Sequence, residues 1–505
     1  MNFKMIRYTL GVILKFEALF FLVPIITALC YREHTSLRAF VATAGICLFL
    51  GYFMTYSKPS DKALRARDGF VIVSLSWIVL SLFGAVPFLL SGAIPSYIDA
   101  LFETVSGFTT TGASILDGAV IESLDHAILI WRSFTHWVGG MGVLVFVMAI
   151  MPLSGAQNMH IMRAESPGPE VSKLVPRVRR TALILYFIYF ILTVALFLIL
   201  LLDNAMGTDG YNKMTVFDAL CTAFGTAGTG GFGIKADSLA SYSPYVQLVC
   251  TSFLILFSIN FNSYYLALRL RFREAFNSEV RIFLIIVAVA IGLISMNIYQ
   301  SRESILTASG GTDVINSFGD ALRHAAFTVA SLISTAGFST LNFDLWPEFS
   351  KLLLVLLMFI GACAGSTGGG IKVSRIIILV KGMLRELGDL IHPRRVKKIT
   401  IDKKPVSSEV VRSVNAYIVT FIILFAASMI LLAPDNNSSG LLTNFTATVA
   451  CINNIGPGLE QVGPAGGYAF FTPFSKLVLI FDMLAGRLEL FPMLILFSPA
   501  TWKNK

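Results

Sequence analysis

The chain has 505 residues, of which 55% are hydrophobic and 14% charged, with a mean hydropathy of +0.74. Soluble domains carry about 25% charge; no polar, mixed-charge stretch here is long enough to fold in water, so large soluble domains are excluded and a polytopic membrane protein is indicated. The net charge of +9 sits in short connections between apolar runs, which excludes nucleic acid as the partner and leaves membrane lipid as the surrounding medium.

A membrane-spanning helix needs about 20 predominantly apolar residues. Ten such runs fall near 8–30, 37–56, 70–91, 128–152, 181–202, 245–268, 281–299, 347–380, 411–433 and 472–497. The first is too long for the apolar core of a cleaved signal and no small-residue cleavage site follows it, so it is expected to remain as a helix. Lys58, Lys62, Arg65 and Arg67 follow the second run. Arg163, Lys173, Arg177, Arg179 and Arg180 follow the fourth, Arg269, Arg271 and Arg273 the sixth, and the stretch from Lys381 to Arg412 the eighth. These loops are expected in the cytoplasm, together with both termini. The six cysteines, Cys30, Cys47, Cys221, Cys250, Cys363 and Cys451, lack metal-ligand spacing and read as small buried hydrophobes.

The outer connections repeat one another. DALFETVSGFTTTGAS from Asp99 aligns without a gap on DALCTAFGTAGTGGFG from Asp218. HAAFTVASLISTAGFS from His324 and TNFTATVACINNIGPG from Thr443 fit the same frame, which brings Gly112, Gly231, Gly337 and Gly456 into register at separations of 119, 106 and 119 residues. Each interval holds two spans, so the unit is span, half-length helix, extended glycine segment, span. The expected fold is an all-α membrane protein of four pseudo-symmetric span–pore helix–filter loop–span repeats around a central pore, preceded by two extra transmembrane helices. The units are expected at 1–69 for the two N-terminal helices and their loop, then 70–180, 181–280, 281–409 and 410–505 for the repeats.

Non-helical backbone at membrane depth is tolerated only where protein or a water-filled cavity surrounds it, so four such segments imply a shared pore. A short helix ending in an extended segment points carbonyl oxygens inward, and rings of carbonyls replace the hydration shell of a cation. Thr109, Thr110, Thr111, Thr229 and Thr335 can add hydroxyl oxygen. No Asp or Glu stands beside the four glycines, which argues against a calcium-type carboxylate filter and favours a monovalent cation.

SGFTTTGAS, GTAGTGGFG, ISTAGFST and NNIGPG, with the later CAGSTGGGIK, resemble the four pore segments and the third-repeat gate of the Trk/Ktr/HKT superfamily of potassium transporters. The resemblance covers about residues 70–497, and the two preceding spans are similar to the bacterial Trk-type branch rather than to the shorter Ktr-type subunits. It implies a homodimeric potassium-uptake subunit of the bacterial inner membrane. Potassium is then the substrate, no cofactor is covalently bound, and a cytosolic ring of nucleotide-binding regulatory proteins carries the nucleotide. The expected docking face for that ring is 154–180, 269–281 and 381–412. The filter residues implied are Thr110, Thr111 and Gly112, then Gly230 and Gly231, then Thr335, Ala336 and Gly337, and finally Asn454, Ile455 and Gly456. One glycine per repeat, in place of a TVGYG segment, implies a short filter. The fourth segment departs from the others, since Asn453-Asn454-Ile455 replaces hydroxyl residues and Pro457 follows the glycine.

The stretch Gly361, Ala362, Cys363, Ala364, Gly365, Ser366, Thr367, Gly368, Gly369 and Gly370 interrupts the eighth run, which is too long for one straight helix. As a phosphate-binding loop it fails, because Ile371 occupies the place of the required lysine and no strand precedes it. Close packing of small residues is the structural alternative; the resemblance implies a movable intramembrane gate below the filter. Arg487 lies in the last run, where a charge costs about 2.5–3.5 kcal/mol on insertion scales. It pairs with Asp482 or Glu489, or, as the resemblance implies, stands beside the ion path as an electrostatic barrier. Glu103, Arg132, His136, Arg323 and His324 are expected to hold the pore loops. No HExxH, GxSxG or soluble carboxylate pair supports catalysis, and an enzyme is not expected. The rival reading is a secondary carrier coupled to a cation or solute; repeats that all start on the same side favour a central pore over rocking inverted halves.

Overall fold

The computed structural model describes residues 1–59, 65–142, 178–205, 210–392, 398–435, 437 and 440–503. Apart from a two-stranded hairpin pairing Thr400–Ile401 with Lys404–Pro405, its regular elements are helices, the solution a bilayer imposes on backbone that has no water to bond. Among the described residues six helices are long and apolar enough to cross a membrane, and a seventh span arises if Pro244–Phe257 and Phe261–Leu268 are taken together. The chain is an all-α membrane protein.

At the N-terminus Phe3–Phe20 and Leu22–Tyr31 make one span of 29 residues, Arg32 turns the chain in the left-handed region at φ 61°, and His34–Thr55 returns. Small residues let these helices touch: a Cβ on Gly51 would sit 2.8 Å from the carbonyl oxygen of Gly11. The four repeats follow. Their outer helices are Ala66–Gly84, Val178–Leu201, Ser278–Gln300 and Ser408–Leu432. Their pore helices are Tyr97–Phe108, Val216–Gly228, Phe318–Ile333 and Leu441–Ile452. Three pore helices start on a side-chain cap, with Ser96, Thr215 and Ser317 accepting from the amides of Asp99, Asp218 and Asp320. The fourth starts at Gly440 without one.

The inner helices are where the structure departs from ten straight spans. The first inner helix is His126–Gly140, and the rest of the run expected to 152 lies outside the described residues beyond 142. The second, expected as one span over 245–268, breaks after Phe257 and bends by 89° before Phe261–Leu268. The third divides into Glu348–Ile360 and Val373–Ile391, so its second half runs past the expected end at 380. The fourth, Pro473–Arg487, stops well short of 497, because Glu489 and Leu490 both take positive φ (60° and 63°) and turn the chain into the short helix Phe491–Leu494. The expected docking segment 154–180 and residues 393–397 of 381–412 fall largely or wholly outside the described residues.

Candidate functional site

All four pore helices end in one turn. The amides of Thr111, Gly230, Ala336 and Ile455 donate to the carbonyls of Ser106, Gly225, Ser331 and Ala450 at 2.9, 2.9, 2.8 and 2.8 Å. This long bond is the Schellman closure, which requires a left-handed residue. That residue is Thr110, Thr229, Thr335 or Asn454, at φ 56°, 52°, 63° and 57°. Two residues on, Gly112, Gly231, Gly337 and Gly456 have φ 80°, 85°, 83° and 94°. The fourth segment thus shares the backbone of the other three despite its different sequence, since asparagine takes the left-handed conformation more readily than threonine.

These turns close on one another. A Cβ on Gly112 would lie 2.1 Å from the carbonyl oxygen of Gly230, one on Gly231 1.9 Å from that of Ala336, and one on Gly337 2.1 Å from that of Ile455. On Gly456 it would lie 2.7 Å from that of Thr111. The contact runs from the first repeat to the second, third and fourth and back to the first, so the carbonyls of Thr111, Gly230, Ala336 and Ile455 gather around one axis. Each pore helix also directs its carbonyl end there, and the partial negative charge of four helix C-termini favours a cation. Outside the ring lies a chamber of about 110 Å³ lined by the four glycines together with Ser114, Phe232, Pro457 and Tyr468. The hydroxyls behave less uniformly than the sequence suggests. Thr111 Oγ1 accepts from Asn454 Nδ2 at 3.0 Å, Thr229 Oγ1 bonds Gly228 and Thr367, and Thr335 Oγ1 accepts the amide of Gly369 at 2.6 Å.

The outer wall is tied by buried charge. Arg132 Nη2 lies 2.8 Å from Glu103 Oε1, and Arg132 Nη1 donates to the carbonyl of Gly233 at 3.2 Å. Glu103 in turn accepts from Ser114 and the amide of Ile115. His324 bonds Thr340 of the following loop at 3.0 Å, whereas Arg323 pairs with Asp320 at 3.2 Å within its own pore helix.

The expected gate, residues 361–370, folds back between its two half-helices under the ring. Its first part fills the break in the second inner helix: the Cys363 amide donates to Ser258, Thr367 Oγ1 to the carbonyl of Phe257 at 3.2 Å, and the Phe261 amide to Gly365. Backbone freed by one broken helix is therefore bonded by another. Thr367, Gly368 and Gly369 reach the filter turns: Thr367 bonds Thr229, a Cβ on Gly368 would meet the Ser334 carbonyl at 2.7 Å, and one on Gly369 the Asn453 carbonyl at 2.6 Å. Gly361, Gly365 and Gly370 lie in the positive-φ region.

Arg487 lies against this loop at the end of its helix. It donates to the carbonyls of Thr367 at 2.9 Å and of Gly139 and Gly140 at 2.5 and 3.0 Å. Asp482 accepts from Ser428 at 2.7 Å, and Glu489 pairs with Arg375. Lys372, buried, donates its ammonium to the carbonyls of Gly368 and Gly369. Sequence reasoning offered Glu489 as a partner of Arg487 and gave Lys372 and Arg375 no role of their own; in the structure Glu489 pairs with Arg375. The signal available for Lys372 was an intramembrane charge two residues past a glycine run. Glu279 of the third outer helix accepts the amides of Ala364 and Ser374 at 2.8 and 3.1 Å, fixing both ends of the loop. Among the described residues no cluster of His, Cys, Asp and Glu could hold a metal ion.

The comparisons with known proteins follow this geometry. The family described as TrkH, cation transport protein, matches residues 36–504. The chain is 36% identical over 510 residues to the Trk system potassium uptake protein TrkH of Halomonas elongata, and 35% identical over 515 residues to the protein of that name in Escherichia coli, covering 100% of each partner in both cases. The crystal structure of the potassium transporter TrkH from Vibrio parahaemolyticus superposes with a TM-score of 0.85 at 33% identity over 100% of both chains. These relatives are named as transport proteins, not enzymes. A ring of four glycine turns, a glycine loop beneath it and a match along almost the whole length lead to one assignment: the chain belongs to the TrkH family of cation transport proteins.

Proposed function

We propose that the protein takes up potassium across the bacterial inner membrane through a channel-like pore, with the carbonyls of Thr111, Gly230, Ala336 and Ile455 as the centre of its selectivity filter. The closure of four glycine turns into a ring carries this reading. A dehydrated monovalent cation needs several weak oxygen dipoles and no fixed carboxylate, and the ring offers that set. The names of the relatives support potassium as the ion. The loop 361–370 is the gate, since it lies against the inner face of the filter turns. Arg487 is an electrostatic barrier beside it, because a fixed positive charge raises the energy of a nearby cation in a low dielectric.

The pore works as a homodimer with both termini in the cytoplasm and answers to a cytosolic nucleotide-binding ring. The exposed Arg271, Arg273, Lys403 and Lys404 are part of the surface such a ring would meet. The test is expression in bacteria that lack potassium uptake. Growth and rubidium influx at low potassium should be restored. Failure of both, with the protein present in the membrane, would return the carrier reading.

A further inference from the structure

One junction of the ring is held from behind by an imidazole. His136, fully buried on the helix His126–Gly140, places Nδ1 2.8 Å from the carbonyl oxygen of Gly107 in the first pore helix. Its Nε2 accepts the amide of Phe232 at 3.2 Å. A ring nitrogen facing a carbonyl must carry the proton, and one receiving an N–H must not, so this imidazole is neutral and held in one tautomer. Phe232 directly follows Gly231, so the bond fixes the residue beside the filter. The imidazole is also a wall, since a Cβ on Gly230 would come within 2.1 Å of it.

Arg132, one turn earlier on the same helix, continues the strap. It joins Glu103 of the first pore helix to the carbonyl of Gly233, and its guanidinium lies 4.2 Å from the Phe232 ring. The His136 ring lies 4.3 Å from that same phenyl group. Two successive turns of one helix therefore hold the N–H of Phe232 and the C=O of Gly233 against the pore helix of the preceding repeat. The other junctions are tied by loop and turn side chains: Ser238 to the Ser339 amide, Asp344 to the Glu460 amide, and Asn454 to Thr111.

We propose that His136, assisted by Arg132, is a specificity-determining positioning residue that sets where the Gly230 carbonyl stands and thereby how strongly the ring prefers potassium to sodium. It touches no ion and acts through Phe232. Histidine suits the place because it offers one donor and one acceptor without a charge behind the ring. A lysine or arginine there would present only donors and repel the cation. The proposal rests on reading the ring as a potassium filter.

The test uses the full chain in proteoliposomes, with potassium and sodium flux measured separately and normalised to folded protein, for His136→Leu, His136→Gln and Gly231→Ser. The leucine variant should lower the potassium-to-sodium ratio by about tenfold, and the glutamine variant, which keeps a donor and an acceptor, should recover most of it. A glutamine variant as unselective as the leucine one overturns the hydrogen-bond role. An unchanged ratio in His136→Leu, alongside a lost ratio in Gly231→Ser, overturns this proposal and leaves the filter standing. Unchanged ratios in both overturn the filter reading as well. Should the leucine variant not fold, His136→Asn replaces it, because its shorter amide spans only one of the two bonds; the same drop is expected, and the same constancy overturns.

Discussion

Gly231 combines φ 85° with an implied Cβ only 1.9 Å from the Ala336 carbonyl oxygen, whereas the same atom on Gly456 would stand 2.7 Å from its neighbour. Serine at either position has to displace a filter carbonyl, and forced backbone of this kind costs about 1–3 kcal/mol. Since about 1.4 kcal/mol is a factor of ten, Gly231→Ser should lower potassium-over-sodium discrimination roughly tenfold, and Gly456→Ser should do so less. Ion competition in rubidium uptake checks the order, and equal selectivity in both variants and the parent contradicts it. At Arg132 the expected loss is stability. Removing one partner of a buried ion pair costs about 3–5 kcal/mol, so Arg132→Met should strand Glu103 and melt well below the parent in detergent. An unshifted melting temperature would mean that the pair holds nothing. The four glycines were legible in the sequence because a positive φ beside another backbone leaves little alternative to glycine. Lys372 was not legible in this way, since its partners Gly368 and Gly369 become acceptors only once the loop has folded back on its own helix.

The loop between Glu348–Ile360 and Val373–Ile391 is bound on every side: by Lys372 within itself, by Glu279 at its ends, by Thr335 above and by Arg487 alongside. Deleting several residues within 361–370 should remove the obstruction and raise basal rubidium flux per folded molecule. Loss of flux from a normally inserted protein would mark the loop as packing. Arg487→Ala should likewise raise flux per molecule, with Arg487→Lys keeping nearly parental values, because the barrier depends on the sign of the charge more than on its shape. A poorly folded alanine variant with no gain per molecule would assign Arg487 a structural role. The break at 361–372 could be anticipated from its glycines. The one after Phe257 was missed because the mean hydropathy of 245–268 is high although Ser258, Asn260, Asn262 and Ser263 cluster at the break, and the carbonyls it frees are satisfied by a loop about a hundred residues away in sequence. The early end of the last span was hidden in the same way, since hydropathy continues through Leu490 and Phe491 while the backbone turns.

Across the whole molecule, four units that start on the same side bring four helix C-termini and four carbonyls to one axis. Their equivalence was readable from the register of Asp99, Asp218, His324 and Thr443 relative to the glycines. The direction in which neighbouring repeats clasp could not be read, because it depends on which carbonyl each glycine approaches. A potassium pore and a coupled carrier differ most plainly in what drives the ion. The deciding measurement is the zero-current potential of proteoliposomes holding the purified protein between unequal potassium and sodium solutions, read by a voltage-sensitive dye. A potassium-selective pore sets that potential close to the potassium equilibrium value, and it should follow the potassium ratio when sodium is varied. A potential that follows sodium equally, or ion movement that stops unless a second solute travels with it, would contradict the ring as a potassium filter.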